Sequence, residues 1–400
     1  MNILKNSCRP TWLNLFARPG RPTWLNPFMG LSIALALALT ANAESVIDSA
    51  GWSSTTWDKR YIVDNGDGTS TTNSSIQGAA YYGGKVYQFW DKGATYRVYD
   101  IASGAWGDFG SALTCASSNH FGSATFAASV ADGCTIPYVY VSGHYRLSDA
   151  ELEAAGGSSL YTTVVPSKYE IMDVVDIEHN TLVKRYIFNN RYDDAIFAYD
   201  WTNSRFWMVG YETASGYAQA PYYIQEYKFD STDARGYTEV GDMVAVPAAT
   251  ADGTLQDCVY SDGHIYILVG WGTGGKTVTI NGEERTIVSR YVGVHDYDVT
   301  SKTVIASNFS TDTSEAEGLA YDSVNNNFYI TSSSSKFWKL CVHDFTSGTT
   351  CSKCGASSIV HNHSYQNGFC RNTAGDCDAP YESYTISNSV YQIVSGFMIG

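Results

Sequence analysis

The sequence predicts an all-β fold, and three features indicate it. Apolar and polar residues alternate with the period of two that is typical of half-buried strands. Turn residues such as Gly83-Gly84 and Ser261-Asp262-Gly263 separate these runs. One pattern of polar start, small or apolar residues and an aromatic occurs five times. Radial repetition of small antiparallel sheets leaves few open edges, so the predicted architecture is a five-bladed β-propeller.

Each repeat predicts a β-hairpin followed by a third strand, and repeat starts 45, 71, 63 and 61 residues apart leave room for a fourth strand and loops. The first segments are residues 77–81, 122–126, 193–197, 256–260 and 317–321. The second segments are residues 86–89, 138–141, 206–209, 265–268 and 328–331. The third segments are residues 96–100, 169–176, 224–230, 290–298 and 337–344. Residues 148–155 are the one short helical segment expected among them.

Residues 1–43 predict a secretory signal peptide. A 12-residue apolar run at 29–40 follows four basic residues and precedes Ala41-Asn42-Ala43, which favours cleavage before Glu44. Twelve helical residues are too short to cross about 30 Å of hydrocarbon. We therefore expect a secreted or cell-surface protein with no membrane span after cleavage. The propeller is expected over residues 44–348, followed by a cysteine-containing module at 349–380 and the start of a truncated repeat at 381–400.

Composition narrows the class of partner. Hydrophobic residues make up 44% and aromatic residues 14% of the chain, which is enough for a packed core. The net charge is −15, and the part after the leader stands at −19 because the leader carries four basic residues and no acidic one. A strongly acidic protein is not expected to bind nucleic acid.

The starts of the five repeats predict a polar site. The first strand of each propeller blade lines the central channel, so these starts are expected to meet at one mouth of it. The residues concerned are Gln77, His120 beside Gly122, Asp193, Gln256 and Glu317, with Asp194, Asp257 and Glu315 adding carboxylates nearby. Such a cluster suits a hydroxyl-rich ligand or a hard cation such as Ca²⁺. The alternative is that these residues only form the polar wall of a water-filled channel.

Aromatic residues supply a second set of candidates. Tyr and Trp combine a flat apolar face with a polar edge, which suits sugar rings and protein interfaces. Trp90, Tyr211, Tyr217 and Trp271 are expected to be exposed and able to contact a ligand. A different set is expected to pack between the blades, namely Tyr87, Tyr140, Trp207, Tyr266 and Tyr329.

Eight cysteines follow the leader. Cys351, Cys354, Cys370 and Cys377 form a zinc-ribbon-like pattern, although the last two are spaced more widely than in a ribbon. Two disulfides are the alternative in an exported chain. Cys115 and Cys134 fall within one repeat and could form a disulfide there.

Three stretches resemble a known family: residues 74–104, 119–143 and 315–340. They are similar to the β-propeller domain shared by teichoic-acid-biosynthesis protein C-like proteins and some phage receptor-binding proteins. The chain departs from that pattern at Gly122, which has no polar side chain. The resemblance implies the propeller fold and a bacterial surface setting.

The sequence therefore favours an exported bacterial propeller that binds a glycan or another envelope polymer through one face. An enzyme with channel carboxylates and a divalent cation is the alternative, because Glu317-Gly318-Leu319 is similar to a signature of propeller lactonases and glutaminyl cyclases. A scaffold that binds a surface protein is a third.

Overall fold

The computed structural model describes most of the predicted propeller. The described residues are 45–47, 50–56, 61–64, 70–73, 75–116, 119–161, 168–189, 192–212, 222–246, 254–270, 276–280, 283–287, 292–310, 315–333, 336–342 and five short strands between 365 and 399. The predicted leader lies outside them, as does most of the cysteine module. None of the helices among these residues is long and apolar enough to cross a membrane.

Five antiparallel sheets of four strands each follow one another around a closed ring, which confirms the five-bladed β-propeller. The chain starts with β1 (Ala50–Thr56) and the hairpin of β2 (Tyr61–Asp64) and β3 (Ser70–Asn73). Blade one contains β4 (Ile76–Tyr82), β5 (Lys85–Trp90), β6 (Tyr96–Asp100) and β7 (Ala105–Phe109). Blade two contains β8 (Ala124–Phe126), β9 (Val139–Arg146), β10 (Lys168–Asp176) and β11 (Thr181–Phe188).

The remaining blades follow in chain order. Blade three contains β12 (Tyr192–Asp200), β13 (Arg205–Glu212), β14 (Tyr222–Phe229) and β15 (Tyr237–Val246). Blade four contains β16 (Thr254–Ser261), β17 (His264–Gly270), β20 (Val292–Asp298) and β21 (Thr303–Ser310). Between β17 and β20 the chain forms a separate hairpin of β18 (Lys276–Ile280) and β19 (Glu283–Ile287). Blade five contains β22 (Ala316–Asp322), β23 (Asn327–Ser332) and β24 (Lys336–Val342).

Short elements complete the described chain. The helix α1 (Asp149–Ala154) lies in the predicted helical segment, and Ser148 and Glu151 form a capping box at its start. Single 3-10 turns occupy Asp91–Gly93, Thr114–Ala116 and Ser158–Leu160. The tail contains β25 (Tyr365–Gln366), β26 (Phe369–Cys370), β27 (Ser383–Ile386), β28 (Ser389–Val394) and β29 (Phe397–Ile399).

The outer strand of blade five comes from the other end of the propeller sequence. β1 pairs with β24 along its whole length, from Ala50 opposite Val342 to Thr56 opposite Lys336. The first and last parts of the propeller are thus joined by a ladder of backbone hydrogen bonds. This pairing closes the ring, because it supplies β24 with a hydrogen-bonded partner on its outer side.

At least one aromatic contact spans each of the five junctions between blades. The ring centroids are 4.8 Å apart for Tyr87–Phe126, 5.5 Å for Tyr140–Tyr199, 4.9 Å for Trp207–Tyr260, 5.3 Å for Tyr266–Tyr321 and 6.4 Å for Tyr329–Tyr99. The prediction that the first residue of each pair packs between blades is confirmed. Such pairs add about 0.5–1.5 kcal/mol each beyond the burial of their area, so these aromatic side chains stabilise the contact between neighbouring blades.

Candidate ligand-binding site at the propeller axis

Four of the five innermost strands carry a β-bulge close to their start. The pairing register shifts between Ile76 and Ala79 in β4, between Asp193 and Ile196 in β12, between Leu255 and Asp257 in β16, and between Ala316 and Gly318 in β22. A bulge bends its strand and turns the extra residue out of the regular alternation. Gln77, Gln256 and Glu317 lie in three of these bulges, and all three reach the channel mouth.

A cavity of about 290 Å³ opens at this mouth. All five blades contribute to its wall, and most of the side chains that line it are polar. They are Gln77, His120, Gly122, Ser142, Gly143, Glu170, Ala195, Ile196, Thr254, Leu255, Gln256, Glu315 and Glu317. Its volume lies near the lower end of the range for small-molecule sites, which suits one sugar ring better than a long polymer.

Asp257 lies below the cavity, where the inner strands meet, and is fully buried. Its Oδ2 accepts the backbone N–H of Ala79 in blade one at 3.2 Å and of Leu319 in blade five at 2.8 Å. Its Oδ1 accepts the N–H of Cys258 in its own blade at 2.8 Å, and the N–H of Ala124 in blade two donates to the carboxylate as well. These four donors occupy the same position in four repeats, so one carboxylate joins four inner strands.

Burial raises the pKa of Asp257 well above its usual range, while the backbone N–H groups that it accepts act in the opposite direction. The sequence placed Asp257 among the residues at the mouth of the channel, and that expectation is corrected. Its oxygens are occupied by backbone donors of the fold and are shielded from the cavity. Asp257 is therefore a structural residue that fixes the spacing of the blades.

Glu170 of blade two plays the corresponding role for the inner strand of blade three. Its carboxylate is fully buried in β10, and its Oε2 accepts the N–H of Ala195 at 3.3 Å. Ala195 is the repeat equivalent of Ala79, Ala124, Cys258 and Leu319. Unlike Asp257, Glu170 also lines the cavity. No sequence signal marks Glu170 as a site residue, because it lies on the third strand of its repeat, where the polar residues of an alternating pattern normally face solvent.

His120 and Glu315 lie at the rim of the cavity, and each is held by a neighbour. His120 Nδ1 is 3.1 Å from Oδ1 of Asp91. Burial raises the pKa of Asp91, but the hydrogen bond to His120 and the charges of His120 and Lys92 outweigh it and lower that pKa overall. Glu315 Oε2 accepts the hydroxyl of Ser333 at 3.0 Å. These contacts orient both side chains before any ligand binds.

The charges around the cavity restrict its ligand. Three glutamates line it, Glu170, Glu315 and Glu317, and no lysine or arginine is among its described lining residues. An anionic group would be repelled, whereas hydroxyl and ammonium groups would find hydrogen-bond acceptors. Among the described residues, these carboxylates do not form a three-ligand cluster of the kind that would hold a metal ion.

Two aromatic predictions are corrected. Trp90 is fully buried and packs edge-on against Phe109, with ring centroids 5.5 Å apart. Tyr211 is only 1% exposed, and its hydroxyl accepts the N–H of Leu255 at 3.0 Å. Both were expected at the surface because they neighbour turn or loop residues, but each closes the core beneath a strand end.

Other predicted residues are not tested by the structure. The backbone of Asp193 and Asp194 belongs to β12, but their side chains lie outside the described part of the chain. Tyr217 and Trp271 also lie outside it, as do Cys351, Cys354 and Cys377. Cys370 is described only as the end of β26, paired with Tyr365. The zinc and disulfide alternatives for the tail therefore both stay predictions.

No known protein family and no curated protein matches the chain. Among solved structures, a luciferin-regenerating enzyme is similar over 73% of this chain and 95% of its own, with 10% identity and a TM-score of 0.39. The WD40 domain of Pan2 from Neurospora crassa is similar over 69% of this chain and 66% of its own, with 7% identity and a TM-score of 0.28. Similarity at this level says nothing about the ligand or the activity of this protein.

Proposed function

We propose that this protein is an exported binding protein that takes one sugar unit of a cell-envelope glycan into its axial cavity. The observation that carries the proposal is the cavity itself, where Gln77, Gln256 and Glu317 come from three different blades. Sugar hydroxyls both donate and accept hydrogen bonds. The amides of Gln77 and Gln256 can do the same, and the glutamates supply acceptors.

The charge of the cavity supports a neutral or amino-bearing sugar over a phosphorylated one. Three glutamates line the cavity and its described lining residues include no lysine or arginine, which disfavours phosphate, whereas an ammonium group would form a charge-assisted hydrogen bond with a carboxylate. Trp90 and Tyr211 are buried, so recognition in this proposal depends on hydrogen bonds around one ring and uses neither of these two aromatic side chains.

The proposal also includes export of the protein and its relationship to known propeller domains. The predicted leader at residues 1–43 would place the protein outside the cell or at its surface. A relationship to the propellers of teichoic-acid-biosynthesis protein C-like and phage receptor-binding proteins would fit that setting. The cation-dependent enzyme is the alternative, in which Glu170, Glu315 and Glu317 of the one cavity would have to move together to bind an ion, because the described residues do not hold them as a three-ligand cluster.

A glycan array tests the proposal, with the processed full-length chain applied in the presence and absence of EDTA. We expect binding to a set of glycans that share one neutral or amino sugar, and no loss of binding with EDTA. Gln256→Ala removes one or two hydrogen bonds and is expected to weaken binding about tenfold. Glu239→Gln is the control, because Glu239 is exposed on the outer strand of blade three.

Three results would count against the proposal. Absence of glycan binding would leave a protein-binding scaffold as the better explanation. Equal weakening by Gln256→Ala and Glu239→Gln would move the site away from the cavity. Loss of binding with EDTA would favour the cation-dependent alternative.

A further inference from the structure

A second cluster of side chains that could bind a metal lies far from the axial cavity, at the opposite end of the strands of blade two. Glu170 near the start of β10 lines the cavity, whereas Asp176 ends the same strand six residues later. At about 3.3 Å per residue the two are roughly 20 Å apart. The turn after β10 and the loop between β8 and β9 meet at this end of the blade.

Three different donor atoms come together there. Cys134 Sγ, Asp176 Oδ2 and His179 Nδ1 all lie within 4.8 Å of one another. Sγ of Cys134 is 3.6 Å from Oδ2 of Asp176, and Nδ1 of His179 is 2.7 Å from the same oxygen. Among the described residues this is the one group of three that has the spacing of a metal site.

The distances between these donor atoms can be compared with the distances between the ligands of a tetrahedral zinc ion. Zinc–ligand bonds of about 2.0–2.3 Å place a sulfur and an oxygen ligand about 3.5 Å apart. The Cys134–Asp176 distance already matches this value. The His179–Asp176 pair has to open by roughly 0.6 Å, from a hydrogen bond to the separation of two zinc ligands.

The backbone around the cluster is fixed by other contacts. The N–H groups of Glu178 and His179 each donate to Asp176 Oδ1 at 3.0 Å. The Glu178 carboxylate accepts the N–H groups of Thr135 and Ile136 at 2.6 and 3.1 Å, so the loop that carries Cys134 is tied to the turn that carries His179. The three donors are thus held close to one another without an ion.

Exposure allows an ion to reach the cluster. Asp176 is buried and Cys134 half-buried, but about half of the His179 side chain is exposed. Cys115 lies beside the same turn, where its N–H donates to Asn180 Oδ1 at 3.2 Å. The structure has Cys115 and Cys134 as thiols, whereas the sequence allowed a disulfide between them.

We propose that Cys134, Asp176 and His179 form a zinc site at the end of blade two that lies opposite the axial cavity. A thiolate, an imidazole and a carboxylate suit zinc, whereas Ca²⁺ and Mg²⁺ take oxygen ligands. On binding, zinc displaces the thiol proton of Cys134 to solvent. The Nδ1 proton in the hydrogen bond from His179 to Asp176 moves to Nε2 through solvent, and the Nδ1 lone pair then binds the ion. The fourth position is open to water.

Cobalt substitution tests the site. The processed full-length chain is used with Cys351, Cys354, Cys370 and Cys377 changed to serine, because the tail is itself a predicted zinc module. The reduced, metal-free protein is titrated with Co²⁺, and thiolate-to-cobalt charge-transfer absorption is recorded. We expect saturation at one equivalent, and at least tenfold weaker binding in Cys134→Ser and in His179→Ala.

His264→Ala is the matched control, because His264 Nδ1 forms a similar pair with Asp296 Oδ1 at 2.8 Å but belongs to no three-ligand cluster of the residues that the structure describes. It should bind cobalt like the parent. A second measurement needs no substitution at the site: zinc should slow alkylation of Cys134 by iodoacetamide. Absence of thiolate–cobalt absorption, full absorption in Cys134→Ser, or a Cys115–Cys134 disulfide in the exported protein would overturn the proposal.

Discussion

Asp257 is a single side chain on which the spacing of four blades depends. Asp257→Ala would leave the buried N–H groups of Ala79, Ala124, Cys258 and Leu319 without their acceptor. Unsatisfied buried donors cost about 1–3 kcal/mol each and are not additive, so we expect the free energy of unfolding to fall by about 3–5 kcal/mol in urea denaturation. Asp262→Asn, in an exposed turn at positive φ, should change it by less than about 0.5 kcal/mol. A similar small change in Asp257→Ala would contradict the structural role.

His295 gives the fold a dependence on pH. It is buried in β20 with Nδ1 2.7 Å from the Ser307 hydroxyl, and burial lowers its pKa to about 4. The unfolded chain takes up a proton below about pH 6.5, whereas the folded protein does so only near pH 4. The stability that this group contributes is therefore complete above pH 6.5 and is lost as the pH falls towards 4.

Urea denaturation at pH 7 and pH 5 measures this loss. From pH 7 to pH 5, the parent should lose about 2 kcal/mol more than His295→Gln. Comparison with the variant removes the contributions of the other titrating groups. Equal losses in the two proteins would show that His295 titrates normally in the folded state.

Some functional residues could be predicted from the sequence and others could not. Gln77, Gln256 and Glu317 were found because repeat starts are equivalent, and the ring symmetry brings them to one mouth. Glu170 reaches the same cavity from a third strand, and no repeat signal marks it. Trp90 was misplaced because its neighbour Asp91 starts a turn, although the indole itself packs inward on Phe109.

At the scale of a strand, the approach of the inner strands depends on small residues. A Cβ at Gly318 of β22 would lie 2.6 Å from the Ala79 nitrogen and 2.8 Å from the Gln77 oxygen, and both are backbone atoms of blade one. Gly318→Ala should therefore force two blades apart and lower the free energy of unfolding by about 1–3 kcal/mol in urea denaturation.

Gly107→Ala on β7 is the control for this prediction. A Cβ there meets its nearest neighbour, the Val98 oxygen, at 3.5 Å, which is an ordinary contact. We expect a change of less than about 0.5 kcal/mol in the free energy of unfolding. Equal effects of the two substitutions would mean that the inner strands are not packed as closely as described.

The hairpins and third strands of every repeat were predicted because alternation and turn residues are local signals. The fourth strand of blade five was not predicted, because β1 is separated from β24 by the whole propeller and no local pattern indicates that pairing. The bulges of β4, β12, β16 and β22 were not predicted for a similar reason. A one-residue change of register depends on the partner strand and not on the strand alone.

At the scale of the whole molecule, ring closure depends on the segment around β1. The side-chain amide of Asn308 donates to the Ile47 and Ala50 oxygens at 2.7 and 2.8 Å. Asn308→Ala removes both bonds and should lower the free energy of unfolding by about 2 kcal/mol and speed proteolysis before residue 57. Asn325→Ala, in an exposed turn of blade five, should cost less than about 1 kcal/mol and leave proteolysis unchanged. Unchanged stability and proteolysis in Asn308→Ala would show that closure does not depend on this anchor.

The most direct measurement is a crystal structure of the processed protein with its best array ligand bound. The account predicts one sugar ring inside the axial cavity, with hydroxyls within hydrogen-bond distance of Gln77, Gln256 and Glu317, side chains that belong to blades one, four and five. A sugar bound on the outer surface of a blade, with the axial cavity holding only solvent, would contradict it.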